Sequence, residues 1–260
     1  MNHSPWQSRF AAPKANCPSG QGIRWRATCS CWLTMIWFSS QAAGTLEAAW
    51  QRHTIDSSSR GADGVKLADV NGDGLLDITT GWEEGSQVRV YLHPGHKKVH
   101  RPWPKVTVGQ VHSPEDAILT DIDRDGNWDV ISSCEGKTRT IFVHWAPPKT
   151  SDYLHPSHWE TQSLPITTGK EPWMFVIQLP NAQTREAYFI AGSKNPNGSI
   201  SLLSTTENPR KLQHWRSRRL YDAGWIMSLR PFDMDLDGDL DVLASDRNGP
   251  KRCALVRESR

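Results

Sequence analysis

Asp69-Val-Asn71-Gly-Asp73-Gly-Leu-Leu-Asp77 is a nine-residue phrase that this chain of 260 residues writes three times. It returns as Asp121-Ile-Asp123-Arg-Asp125-Gly-Asn-Trp-Asp129 and as Asp233-Met-Asp235-Leu-Asp237-Gly-Asp-Leu-Asp241. Each copy places oxygen side chains at positions 1, 3, 5 and 9 and a glycine at position 6. Hard oxygen donors at alternating positions around a tight glycine turn are the ligand set of Ca²⁺; Mg²⁺ takes fewer protein ligands and a strict octahedron. An EF-hand would close with Glu at position 12, where this chain has Thr80, Ser132 and Ala244. The expectation is three Ca²⁺ sites of strand–loop–strand type. Asp69, Asn71, Asp73 and Asp77 form the first, Asp121, Asp123, Asp125 and Asp129 the second, and Asp233, Asp235, Asp237 and Asp241 the third. The carbonyls of Leu75, Asn127 and Asp239 would add the position 7 ligand. Such ions would be structural, fastening one strand to the next.

A second marker runs in phase with the first. Trp50, Trp103, Trp159 and Trp215 are spaced by 53, 56 and 56 residues. An Asp loop opens 19 residues after Trp50 and 18 after Trp103 and Trp215. The same spacing after Trp159 reaches Gln178-Leu-Pro-Asn-Ala-Gln-Thr-Arg-Glu, where the carboxylate pattern is gone. The apolar segments on either side, 174–177 and 187–190, remain. One unit has therefore kept its strands and lost its metal site. The units lie near residues 50–102, 103–158, 159–214 and 215–260.

Within a unit, short runs of β-branched residues with period-2 alternation are separated by turn residues. Residues 51–55, 65–68, 76–80 and 88–92 read as four strands, and no window has helical periodicity. Repeated four-stranded units of this length predict an all-β chain of β-propeller blades. The strand at 51–55 occupies a fourth-strand position and the segment at 252–257 a third-strand position. Pairing of the two would close a ring of four blades.

The D-x-[DN]-x-D-G-x-x-D loop between strands resembles the FG-GAP/VCBS repeat family. Residues 68–82 and 240–249 are also similar in wording to secreted bacterial repeat proteins of that kind. The resemblance covers about residues 48–250. It implies integrin-α-like propellers, in that family of seven blades as a rule. Four units then imply either a closed four-bladed ring or a truncated, open part of a seven-bladed one. The family pattern carries no particular activity.

Residues 1–44 hold Arg9, Lys14, Arg24 and Arg26 and no acidic residue. An apolar run at 29–38 and small residues at 39–44 follow, which is the order of a secretory signal. The run is too short to span a bilayer. Domains of 1–44 (leader) and 45–260 (propeller) follow, with a secreted, periplasmic or cell-surface location. The four cations leave with the leader and turn the formal net charge from +2 to −2. The basic excess of the whole chain is thus no sign of nucleic-acid binding. Cys134 and Cys253, at non-equivalent positions of the expected mature chain, read as free thiols.

If the Asp loops join strands one and two, they share one face of the blades, and the turns between strands two and three lie on the other. That face collects charged residues, among them Glu83, Glu115, Glu135, Lys194, Asp246 and Arg247, with Trp82 and Trp173. Such a rim suits a polysaccharide or an extracellular protein, so the expected function is a Ca²⁺-stabilised, adhesive binding module. The alternative is a propeller-type polysaccharide lyase or glycoside hydrolase. It would need Glu83, Glu135 and Asp246, in near-equivalent turns, to converge at the carboxylate separations glycosidases use. No residue pair in the sequence identifies a catalytic centre.

Overall fold

The computed structural model describes residues 50–179, 187–249 and 253–256. The expected leader and most of the degenerate loop at 180–186 lie outside the described residues. The described chain is all-β, with four short 3-10 turns and no α-helix. None of its helices is long and apolar enough to cross a membrane.

Four antiparallel sheets form the four blades of a β-propeller. Blade 1 is β1 (Ala62–Ala68), β2 (Asp77–Trp82), β3 (Gln87–Tyr91) and β4 (Lys105–Gly109). Blade 2 is β5 (Pro114–Thr120), β6 (Asp129–Cys134), β7 (Thr140–Trp145) and β8 (Glu160–Ser163). Blade 3 is β9 (Trp173–Gln178), β10 (Ala187–Ser193), β11 (Ser199–Thr205) and β12 (Arg216–Asp222). Blade 4 has three described strands, β13 (Ile226–Phe232), β14 (Asp241–Asp246) and β15 (Cys253–Val256). In each blade strand n pairs with strand n+1, as short loops dictate, and every Asp loop joins the first strand to the second.

Blades stack through apolar layers. Val88, Val90 and Val106 of blade 1 meet Ala117, Val130 and Trp159 of blade 2. Ile131, Ile141 and Val143 of blade 2 meet Val176, Phe189 and Trp215 of blade 3. Ile190 and Ile200 of blade 3 meet Ile226, Leu229 and Val242 of blade 4. Each fully buried aliphatic side chain of these layers contributes about 2 kcal/mol. The central strand β6 is buried along its whole length because a blade covers each of its faces.

First strands also pack on first strands, β1 on β5, β5 on β9 and β9 on β13. Comparable packing does not join β13 back to β1 among the described residues. Val65 and Leu67 of β1 are accordingly 63% and 57% exposed. At the first junction Gly64 has φ +56°, and a Cβ there would lie 2.3 Å from Asp116 Oδ1. Only glycine permits that conformation and that approach. Lys66 Nζ reaches the same carboxylate at 2.6 Å.

The unit-opening tryptophans divide into two kinds. Trp103, Trp159 and Trp215 are buried just before the fourth strand of their blades. Their indole N–H groups donate to the carbonyls of Val99, Tyr153 and Pro209, pinning the loop that leads there. Trp50 is 92% exposed, and residues 50–61 contain no strand. The expected strand at 51–55, and the closure of a ring by its pairing with the chain end, are therefore corrected. The segment instead turns across the outward side of blade 1. There Ile55 packs on a cluster of Trp82, Tyr91 and Trp103, and Asp56 is seated among Arg89, Tyr91 and Lys105. It covers part of the apolar surface of these rings.

Candidate functional site

The three Asp loops adopt one backbone conformation. Position 6 is left-handed at Gly74, Gly126 and Gly238, and so is position 4, occupied by Gly72, Arg124 and Leu236. The Asp at position 1 holds the turn from inside. Asp69 Oδ2 accepts the Gly74 N–H at 2.8 Å, and Asp121 and Asp233 accept those of Gly126 and Gly238 at 3.0 Å. The position 5 carboxylate accepts the amide two residues on, Asp73 from Leu75, Asp125 from Asn127 and Asp237 from Asp239.

Position 9 is buried in all three loops and bonds to the backbone. Asp77 accepts the N–H of Val70 at 3.0 Å on one oxygen and that of His93 at 2.7 Å on the other. Asp129 does the same with Ile122 and Ala146, at 3.1 and 2.8 Å. Asp241 accepts from Met234 at 3.1 Å. In the first two loops this carboxylate ties the loop to the chain leaving the third strand. Each oxygen retains a second lone pair.

The donor sets fit a Ca²⁺ ion in the second and third loops. Carboxylate oxygens of Asp121, Asp123 and Asp129 lie within 4.8 Å of one another, as do those of Asp233, Asp235 and Asp237. Ligands on opposite sides of a Ca²⁺ ion are about 5 Å apart. In the first loop the acids do not close to that spacing. Asn71 replaces a carboxylate and donates its amide to Asp73 at 3.2 Å. Burial pushes the Asp129 carboxyl up to about 7; the amides of Ala146 and Ile122 pull it down, and the charge of Asp123 adds to the rise. Burial also raises Asp77 and Asp121, with neighbouring loop carboxylates adding to it. The loops thus concentrate negative charge that a cation would neutralise.

On the other face the four blades present four equivalent positions, each following the end of the second strand. They are Glu83, Glu135, Lys194 and Arg247. The backbone N–H of each donates to a carbonyl at the start of the first strand, to Gly61, Ser113, Pro172 and Trp225 respectively. Asp246 is one residue out of this register, which corrects the expected grouping of Glu83, Glu135 and Asp246. It ends β14 and accepts backbone N–H bonds from Gly224, Trp225, Asn248 and Gly249. Burial acts to raise its carboxyl, but those amides hold it below the usual range. The correct register is present in the sequence: Glu83, Glu135 and Arg247 each follow their position 9 Asp by six residues.

Glu83 and Glu135 do converge, and their third partner is Glu115 of β5, with carboxylate oxygens within 4.8 Å of one another. Glu115 is 8% exposed, and burial, with the charges of Glu83 and Asp63, pushes its carboxyl up to about 7 against the pull of Lys194. Lys194 forms an ion pair with Glu135 and lies 4.6 Å from the centre of the Trp225 ring. Arg247 lies 5.1 Å from the same ring. The aromatic group of this face is therefore Trp225. Trp82 and Trp173 are buried within and between blades, another correction. His93, His96 and His100 lie in the β3–β4 connection, with His93 stacked edge-on against Trp103. Both Cys134 and Cys253 are free thiols.

No protein-family model and no curated protein matches this chain.

Proposed function

We propose that the protein is an exported β-propeller of the FG-GAP/VCBS repeat type. Its Asp loops hold Ca²⁺, and its turn face binds a polysaccharide or an extracellular protein. The observation that carries this reading is the charge order at the four equivalent positions. Two blades contribute Glu83 and Glu135, and two contribute Lys194 and Arg247 around Trp225. Acceptors for hydroxyl groups thus stand beside donors for carboxylate, sulfate or carbonyl groups, on a scaffold of short turns. Ca²⁺ would stabilise the opposite edge of the blades without touching the ligand. Export follows from the leader pattern at 1–44. Glycan-array binding in the presence of Ca²⁺ tests the reading, with W225A and K194E as comparisons. Retention of the wild-type profile by both variants would refute the assignment of this face.

One observation favours hydrolysis as a second reading. Glu115, raised to about 7, stands among Glu83 and Glu135 at a distance near that of retaining glycosidase pairs. Release of reducing ends from a polysaccharide panel, abolished in E115Q, would establish it. No release by the wild-type protein would remove it.

A further inference from the structure

The second Asp loop has a cation of its own. Arg210 lies between β11 and β12, in the blade whose own loop has lost the Asp pattern. Its Nε pairs with Asp123, and its Nη2 lies 3.5 Å from Asp125. These are positions 3 and 5 of the neighbouring blade's loop. The guanidinium carbon sits 4.5 Å above the ring of Trp145, which is itself buried and held by a bond from its Nε1 to Gln162. The guanidinium is thus oriented on one side by an aromatic plane and on the other by two carboxylates. In the first loop, positions 3 and 5 bond to each other, and no described basic side chain pairs with them.

We infer that Arg210 is a tethered cation of the second loop, and that a divalent ion binds there in competition with it. This rests on the Ca²⁺ reading of the loops. Asp123 is one of the three carboxylates close enough to share an ion, and Arg210 already holds it. A guanidinium and a divalent ion on the same carboxylate repel at close range. The ion therefore either draws Asp123 away from Arg210 or binds with fewer ligands. A cleft of about 330 Å³ beside the loop, lined by Trp145, His158, Glu160 and Arg210, gives the arginine room to withdraw. The second loop becomes a weaker, tunable site, and ion binding there loosens a contact between blades 2 and 3.

Tb³⁺ luminescence tests this by direct titration of the full chain, and displacement of the signal by Ca²⁺ shows that the two ions share the site. Trp128, the eighth residue of the second loop, is the sensitiser, and D123N defines the signal that belongs to that loop. R210Q is expected to lower by about fivefold the Tb³⁺ concentration that half-saturates the D123N-sensitive signal, in line with a half-exposed charge pair. R210K keeps a charge without the planar fork and is expected to fall between the two. It serves equally where R210Q fails to fold. Equal half-saturation by Tb³⁺ in wild type, R210Q and R210K overturns the inference while leaving the Ca²⁺ reading intact. Absence of any D123N-sensitive signal overturns that reading and the inference with it.

Discussion

The hydroxyl of Tyr91 donates to the carboxylate of Asp56 at 2.9 Å, across 35 residues of chain. The bond anchors a segment with no strand of its own to the third strand of blade 1. Arg89 and Lys105 complete the anchor, each at 2.5 Å from an Asp56 oxygen. The carboxylate is buried, and two cations and a hydroxyl depend on it.

Removal of that carboxylate leaves Arg89 buried without its acid. D56A is expected to lower unfolding stability by about 3 kcal/mol, the scale of a broken buried pair. Urea denaturation measures it; a change within 0.5 kcal/mol, about the effect of an ordinary surface substitution, would show that the segment does not hold blade 1. The pH dependence has a definite sign. Burial acts to raise the Asp56 carboxyl, but hydrogen bonds from Lys105, Ser58 and Tyr91 hold it well below its usual range. This contribution is complete above the unfolded-state value of about 4 and fades as pH falls toward the folded value. D56A should lose that acid-side slope.

Glu115 predicts the opposite slope. Its carboxyl is raised to about 7 in the folded protein, so the unfolded chain gives up this proton first as pH rises. Stability should fall as pH climbs from about 4, the unfolded glutamate value, toward 7. E115Q should flatten that part of the curve. Superimposable wild-type and E115Q melting profiles between those limits would contradict the crowding of Glu83, Glu115 and Glu135.

Position 9 and position 5 of an Asp loop should respond differently to chelation. Asp77 satisfies two backbone amides, so D77A is expected to cost about 2 kcal/mol with or without Ca²⁺, the penalty of an unsatisfied buried donor. In the third loop, whose carboxylates do close to the spacing of a shared ion, D237N should remove part of the stabilisation that Ca²⁺ gives. Near 100 times Kd that stabilisation is about 2.7 kcal/mol per site. Thermal melts in EDTA and in Ca²⁺ separate the two. Wild-type midpoints that agree in both buffers would exclude structural Ca²⁺.

Gly64 is a steric test of the first blade junction. G64A combines a left-handed backbone with a Cβ against Asp116 and is expected to destabilise by about 2 kcal/mol. Chemical denaturation reads it directly. A neutral G64A would mean that β1 and β5 stand further apart than described.

The repeated Asp phrase and the tryptophan period make the blades legible in sequence, because both recur at fixed offsets within a repeated unit. Fourth-strand propensity at 51–55 misleads because alternation says that a segment can be extended, not that an edge is there to pair with it. The same six-residue spacing that joins Asp77 to Glu83 joins Asp241 to Arg247, so the charge order of the turn face is present in the sequence but hidden by the nearby Asp246. Arg210 is a different case. Its partner Asp123 is 87 residues away, and no local pattern links them. Only stacking of blade 3 on blade 2 brings them together.

Among the described residues that stacking runs from blade 1 to blade 4 without comparable packing between β13 and β1. Blades 2 and 3 pack, among those residues, on a neighbour on either side, whereas blade 4 packs on blade 3 and has three described strands. An array held this way loosens from its ends like a stack of plates rather than as a locked hoop. Backbone amides of β6 and β10 should therefore be the last to exchange with deuterium, those of β14 and β15 the first. Blade 1 should fall between, for as long as Asp56 keeps its strap in place.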